Sequence, residues 1–222
     1  MGTKLASEVV TRAGDLIQDA TNVRWPVAEL LRWLSDGQRE VVNMRPDAYN
    51  VVGAIALTTG NTRQNLPSGG LYLIDVVRNS VGTKRPIRLV GREVLDAQVP
   101  TWHSDAPSQN IKHFVYDPRV PTSFFLYPAP AAGSAIEAVY SIIPPDMISP
   151  TQAISVPDTF FNALIDYVCF RSYSKDAEYA GNAARAQAHY QSFTASIGAN
   201  NQSIVAYSPE ASAPGNPNVP KK

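Results

Sequence analysis

The chain has 222 residues, 44% of them hydrophobic, and its 19 basic and 19 acidic side chains give a formal net charge of zero. A protein that reads duplex DNA normally has a basic excess on one face, so this balance argues against sequence-specific DNA binding and favours self-association. No apolar run approaches the roughly 20 residues that span a bilayer, and the N-terminus lacks the apolar core of a signal peptide. We therefore expect a soluble protein, made and used without export, with no membrane partner.

Apolar residues at spacings of three and four predict two helices at the start of the chain. The first covers residues 4–20 and the second runs from about Pro26 to Met44, with the proline suited to a first helical turn. The second helix should end before Pro46, because the residue that precedes a proline disfavours the helical conformation. Residues 1–48 are therefore predicted to form an N-terminal helical pair.

In residues 49–150 the apolar period changes to two, which is typical of strands separated by turn residues. One short helical segment is predicted at residues 91–98. The pattern favours an antiparallel sandwich or a small barrel, and the sequence leaves both open. The strand-like runs are NVVGAIALTT, GLYLIDVVRNSV, RPIRLVG, IKHFVYD, TSFFLYP and AIEAVYSIIP.

Helical periodicity returns in residues 151–198, which are predicted to form a second helical pair. Asp158 is placed to cap the first of these helices, and Gly198 is placed to end the second. Residues 199–222 are rich in Pro, Ser, Ala and Asn, have no period, and are predicted to form an extended tail.

The order of these segments predicts an α+β fold in which a β-rich region is inserted between two helical pairs. Neither helical pair alone buries enough apolar surface to be stable. We therefore expect the terminal helices to form one helical bundle.

Residues that suggest catalysis do not fall into a catalytic pattern. His103, Ser104 and Asp105 are adjacent on a predicted loop, whereas a catalytic triad brings its groups together from separate elements. The spacings of the three histidines, which include His113 and His189, do not match those of metal ligands. We predict no catalytic residue, no metal and no cofactor, with a hydrolase that uses His103 or His189 as the alternative.

The two C-terminal helices differ in their predicted packing. The first is apolar on nearly every side, which predicts burial against its own core and against a neighbouring subunit, and Cys169 lies within it. The second has a narrow seam that begins at Ala183 and Ala186, and a charged corner at residues 174–182 separates the helices. The residues predicted to pack between these helices are Leu164, Val168, Tyr190, Phe193 and Ile197.

Several segments carry a resemblance to a known family. They are RWPVAELLRWLSDGQREVVNMRPDA, LIDVVRN, YDP followed by FFLYPAP, and VPDTFFNALIDYVCFRSYSKDAEYAGNAARAQAHYQSF. Over about residues 5–198 the chain resembles the head-to-tail adaptor proteins of tailed bacteriophages, and is most similar to the tail tubular protein A group of short-tailed phages.

The resemblance implies a structural protein at the head–tail junction of a virion. Such adaptors form a ring, commonly of twelve copies, beneath the portal protein, and they present a platform for the tail nozzle or tube. Genomic DNA passes through the ring without sequence reading, and a neutral protein agrees with this because strong phosphate contacts would hinder sliding. The alternative is a sibling tail component, such as a nozzle or fibre-attachment protein.

The resemblance also implies a role for the C-terminal segment. In related connectors this segment docks against the portal. The corresponding candidate contacts in this chain are Ile204, Val205, Tyr207 and Pro209.

Overall fold

The computed structural model describes the backbone of residues 2–207 and the side chains of residues 2–199. The chain divides into two compact units. The helical unit comprises Met1–Arg45 and Pro144–Lys222, and the β unit comprises Pro46–Ile143. Helices and sheets occur together, so the predicted α+β class is confirmed.

The helices follow the predicted order. The α-helices are α1 (Ala6–Leu16), α2 (Val27–Met44), α3 (Arg92–Gln98), α4 (Phe161–Lys175) and α5 (Asn182–Tyr207). Two short 3₁₀ helices cover Pro46–Ala48 and Asp158–Phe160. Within the described residues, no helix is both long and apolar enough to span a bilayer.

The strands include one that the sequence did not predict, β2, which is only three residues long. They are β1 (Asn50–Ala56), β2 (Arg63–Asn65), β3 (Gly70–Asn79), β4 (Arg88–Leu89), β5 (His113–Tyr116), β6 (Ser123–Tyr127) and β7 (Ala135–Ile142).

Helix α4 is the centre of the helical unit. It contacts α1, α2 and α5, so three helices of its own chain cover its apolar surface. Leu164 and Val168 have no exposed surface, and Tyr167 packs against Gly37 of α2. The predicted contribution of a neighbouring subunit to this burial stays a prediction.

Two buried polar side chains of α2 hold the segment that leads into α4. The backbone N–H of Met147 donates to Ser35 Oγ at 2.9 Å, and that of Ser155 donates to Gln38 Oε1 at 2.5 Å. Each bond satisfies a main-chain donor that would otherwise be buried without a partner. These contacts fix the returning chain along one face of α2.

The β unit contains two open sheets. The first has the strand order β1-β7-β3 and is antiparallel; the second has the order β2-β6-β5-β4. Strand β4 runs parallel to β5, so the second sheet is mixed and the prediction of a wholly antiparallel region is wrong at this edge. Among the described residues neither sheet closes into a barrel.

One apolar cluster receives side chains from both sheets and from the loops beside them. Its fully or nearly fully buried members are Ile55, Leu73, Val76, Ile87, Ile111, Phe114, Phe124, Leu126, Ile136 and Ala138. A second, smaller cluster around Trp102, Leu95 and Val115 packs α3 onto the β unit.

Two predicted helix ends are wrong. The carboxylate of Asp158 does not cap α4; it accepts the backbone N–H groups of Thr3 and Lys4 at 2.8 and 3.1 Å, because this distant segment supplies donors that compete for it. Helix α5 does not end at Gly198 but continues to Tyr207, since a glycine inside a helix costs only about 1 kcal/mol. Residues 199–207 are therefore helical rather than extended.

Candidate assembly surface

The loop between α1 and α2 is held by a buried carboxylate and presents an exposed apolar side chain. The buried carboxylate of Asp19 accepts the backbone N–H of Val23 at 2.9 Å and that of Trp25 at 2.8 Å. Gln18 and Asn22 adopt positive φ angles of 59° and 54°, which let the chain turn tightly around this carboxylate. As a result the side chain of Val23 projects outward with 82% of its surface exposed.

Beside this loop, paired charges and aromatic rings build the corner between α4 and α5. Lys175 is ion-paired with Glu29, and its Nζ lies 5.1 Å from the ring centre of Trp25. Arg24 is ion-paired with Asp176. The predicted charged corner is thus tied to the α1–α2 loop and to α2.

Arg24 also stacks over Tyr179, at 5.4 Å from its ring centre, and Tyr179 remains 64% exposed. Cation–π contacts of this kind contribute about 0.5–1 kcal/mol at exposed sites. We call the group formed by Val23, Arg24, Lys175, Asp176 and Tyr179 the corner surface. It offers a partner the exposed side chains of Val23 and Tyr179, which are supported by ion pairs and cation–π contacts.

A polar cavity of about 310 Å³ lies next to the corner surface. Its lining includes Arg24, Asp176 and Arg185, and Arg185 stacks over Tyr173 at 5.7 Å. Arg24 is already paired with Asp176, so Arg185 supplies the remaining positive charge of the cavity lining.

The residues predicted to pack between α4 and α5 are all at least partly buried, and aromatic rings of the two helices contact each other. Leu164, Val168 and Phe193 are fully buried, Ile197 is 3% exposed, and Tyr190 is half-buried. The ring centres of Tyr190 and Phe170 are 4.9 Å apart, and those of Phe193 and Tyr167 are 5.1 Å apart. Ala183 is exposed, so the buried seam begins at Ala186.

Cys169 is fully buried on α4. Burial, reinforced by the nearby charge of Asp166, raises the pKa of the Cys169 thiol to about 12. The thiol is therefore protonated at neutral pH and unsuited to act as a nucleophile.

The three histidines lie in separate structural settings. His189 Nδ1 is 2.8 Å from the Asp166 carboxylate, and its ring stacks on Tyr173. His103 Nδ1 is 2.8 Å from Thr62 Oγ1, and its ring stacks on Trp102. Burial, with smaller effects of neighbouring cations, lowers the pKa of His113.

The groups around His103 do not assemble a triad. Asp105 accepts a hydrogen bond from the Tyr127 hydroxyl at 3.0 Å, while the partner of His103 is Thr62. Within the part of the chain that the structure describes, no three His, Cys, Asp or Glu side chains cluster as metal ligands would.

The sequence comparison identifies the family. The sequence profile of the SU10 adaptor proteins matches residues 5–217, almost the whole chain. The chain belongs to the SU10 adaptor protein family. No curated protein matches it.

Membership supports the resemblance to phage head-to-tail adaptors and favours a structural role over an enzymatic one. It implies that the adaptor associates with portal and tail components and is located at the head–tail junction of the virion.

The predicted portal contacts fall at the C-terminal end of the adaptor. Ile204, Val205 and Tyr207 belong to the last turns of α5, and Pro209 lies outside the described residues. The sequence alone does not indicate the corner surface as a unit. Its signal was the segment DATNVRWP, in which an acidic residue precedes two turn-forming residues and a proline.

Proposed function

We propose that the adaptor works as a ring subunit of the tail tubular protein A kind, seated beneath the portal and above the tail nozzle or tube. The ring, commonly of twelve copies in such connectors, lines the channel through which genomic DNA leaves the head during ejection. The family match over residues 5–217 carries this proposal. Equal numbers of acidic and basic side chains also support it, because a neutral wall binds passing phosphates weakly.

In this role the helical unit is a helical bundle and the β unit is a sandwich. The helical unit acts as a bundle centred on α4, which contacts three other helices. The β unit acts as a two-sheet sandwich, supported by the apolar cluster that both sheets share. Such packed layers are suited to a rigid structural subunit.

The corner surface is proposed as one of the contacts through which copies of the adaptor associate. An exposed valine on a loop held by a buried carboxylate loses little conformational entropy when it is covered. Val23 and Tyr179 therefore supply apolar contact area on a pre-organised support.

The end of α5 is proposed as the contact with the portal. Ile204, Val205 and Tyr207 supply apolar and aromatic groups within a helix, and Pro209 follows them in the sequence. An amphipathic helix that binds a groove on its partner is a common mode of recognition.

Electron microscopy of the purified adaptor mixed with purified portal protein tests the proposal. We expect rings attached to one end of the portal. Monomers in the absence of portal are compatible with the proposal, since assembly can require that platform. Failure to bind the portal at high protein concentration would reject it, and attachment to isolated tails alone would identify a sibling tail component.

The corner surface has its own variant in this experiment. Val23→Asp should leave the fold intact and reduce the yield of rings by about tenfold or more, because a charge would be buried at the contact. Val120→Asp, at another exposed valine, is the matched control and should assemble normally. Equal ring yields for both variants would exclude the corner surface from the contact.

A further inference from the structure

Three of the four edge strands in the β unit are short or irregular. Strands β2 and β4 have three and two residues and carry Arg63 and Arg88. Strand β3 has three shifts in its register with β7, and the carbonyl of its residue Val77 accepts the N–H of Ile87 at 3.2 Å. Short length, charge and bulges are the features that prevent a sheet edge from pairing with another chain.

Strand β1 is the edge without these features. Its seven residues, Asn50–Ala56, pair with β7 in unbroken register and include no charged residue and no proline. Among the described residues, no backbone hydrogen bond joins the outer side of β1 to another segment. A straight, neutral edge of this length is suited to pairing with a further strand.

Two hydrogen bonds establish which groups of β1 point outward. The N–H of Ile142 donates to the carbonyl of Tyr49 at 3.1 Å, and the carbonyl of Ala135 accepts from Ser80, on the β3 side, at 2.8 Å. Hydrogen-bonded pairs alternate along an antiparallel ladder. With the register of β1 and β7, the odd-numbered residues of β1 therefore bond to β7.

The even-numbered residues consequently direct their main-chain groups toward the open edge. Val52, Ala54 and Ala56 each present one N–H and one C=O there, and all three side chains are exposed, Val52 by 59%. Alternate residues of a strand are about 6.6–6.8 Å apart, so these groups match the spacing of another extended backbone. The complementary ligand of this edge is an extended peptide segment.

The exposed face beside this edge adds a preference for charge. A depression of about 190 Å³ lies next to Ala54 and is lined by Arg78, Glu137 and Lys84 among others. Arg78 is ion-paired with Glu137, whereas the Lys84 ammonium has no ion-pair partner among the described residues. The depression thus carries an excess positive charge, and the small side chain of Ala54 leaves access to it from the edge.

We propose that β1 binds an extended segment of a second, different protein, which joins the sheet as a fourth strand and directs an acidic side chain toward Lys84. Small uncharged residues on either side of that acidic residue fit the flat edge. Strand addition of this kind obtains affinity from main-chain hydrogen bonds and specificity from alternate side chains. This inference goes beyond the adaptor role and does not depend on ring formation or on the portal contact.

Amide hydrogen exchange measured by NMR, on the full chain, tests the inference with the peptide acetyl-TVTETVT-amide as the probe. In the free protein the amides of Val52, Ala54 and Ala56 should exchange rapidly, and those of Val51, Gly53 and Ile55 slowly. The peptide should slow the exchange of the first three by about tenfold or more. The same peptide with Lys in place of Glu is the control and should protect them less.

Two variants address the strand and the charge separately. Ala54→Pro removes one outward N–H and leaves the hydrogen bonds between β1 and β7 intact. The peptide should therefore no longer slow the exchange of the Val52 and Ala56 amides, and the melting temperature should not fall. Lys84→Glu should reverse the preference between the Glu and Lys peptides. It supplies the test of the site even if the proline variant fails to fold.

Three results would overturn the proposal. The first is unchanged exchange of the even-numbered amides at millimolar peptide, and the second is equal protection in the folded Ala54→Pro protein. The third is protection that rises with protein concentration in the absence of peptide, because it would show that a second copy of the chain occupies the edge. An unchanged peptide preference in Lys84→Glu would overturn the acidic nature of the partner.

Discussion

Gly37 of α2 lies directly against the ring of Tyr167 on α4. A β-carbon added at Gly37 would be 2.9 Å from Cδ1 of that ring, closer than packed carbon atoms approach each other. The glycine therefore allows α2 and α4 to approach closely. The close packing offsets the low helix propensity of glycine.

Gly37→Ala should destabilise the adaptor by about 1–3 kcal/mol, because overpacking at the Tyr167 ring outweighs the gain in helix propensity. The free energy of unfolding, measured by urea denaturation and circular dichroism, checks this. Gly198→Ala is the matched control, since among the described residues no side chain beyond its chain neighbours lies within 4 Å of a β-carbon there. The control should stabilise helix α5 by about 0.5–1 kcal/mol, and a Gly37→Ala protein of unchanged stability would contradict the close contact.

Asp19→Ala should destabilise the helical unit by about 2–4 kcal/mol, because the buried N–H of Trp25 and the partly buried N–H of Val23 lose a charged acceptor. Thermal and urea unfolding measure the effect. Asp15→Ala is the control. Because Asp15 is exposed on α1, this substitution should change the free energy of unfolding by no more than about 0.5 kcal/mol. Equal effects of the two substitutions would mean that Asp19 does not hold the loop.

The long, periodic helices could be predicted from the sequence, and their buried polar contacts could not. The helical pattern of α2 and α4 is local, and the structure has both helices at the predicted positions. The role of Ser35 and Gln38 depends on Met147 and Ser155, which are more than a hundred residues away in the chain. A single sequence contains no local signal for such pairings.

The two wrong helix ends and the unpredicted corner surface also depend on residues outside the local sequence pattern. Asp158 has the position of a helix cap, but donors from the N-terminal segment compete for its carboxylate. Gly198 has the position of a helix end, yet a glycine limits a helix only weakly when its neighbours continue it. The corner surface is assembled from the α1–α2 loop, the end of α4 and the α4–α5 corner, so only the folded chain brings its residues together.

Acid should release the N-terminal segment from Asp158. Hydrogen bonds from the Thr3 hydroxyl and from the backbone N–H groups of Thr3 and Lys4 lower the pKa of the Asp158 carboxyl below its ordinary value of 3.8. A lowered pKa means that the folded state favours the ionised carboxylate, so its contribution is present above pH 3.8 and is lost as the pH falls below that value.

The amide chemical shifts of Thr3 and Lys4, followed by NMR from pH 7 to pH 2.5, check this prediction. Both should change in a single step whose midpoint lies below pH 3.8. In Asp158→Asn the step should be absent, because the side chain no longer ionises. A midpoint at or above the ordinary carboxyl value would show that these hydrogen bonds do not hold the segment in solution.

Two truncations should separate the end of α5 from the residues that follow it. Removing residues 208–222 leaves Ile204, Val205 and Tyr207 in place and should keep most of the affinity for the portal, whereas removing residues 200–222 should weaken it by about 100-fold or more. Both proteins should remain folded, because the last described buried side chain is that of Ile197. Affinity is measured by surface plasmon resonance on immobilised portal, with melting temperatures as the control for folding. If the protein that lacks residues 200–222 binds as tightly as the full chain, the end of α5 does not dock on the portal. If the protein that lacks residues 208–222 already loses binding, the contact lies in those residues rather than on the helix.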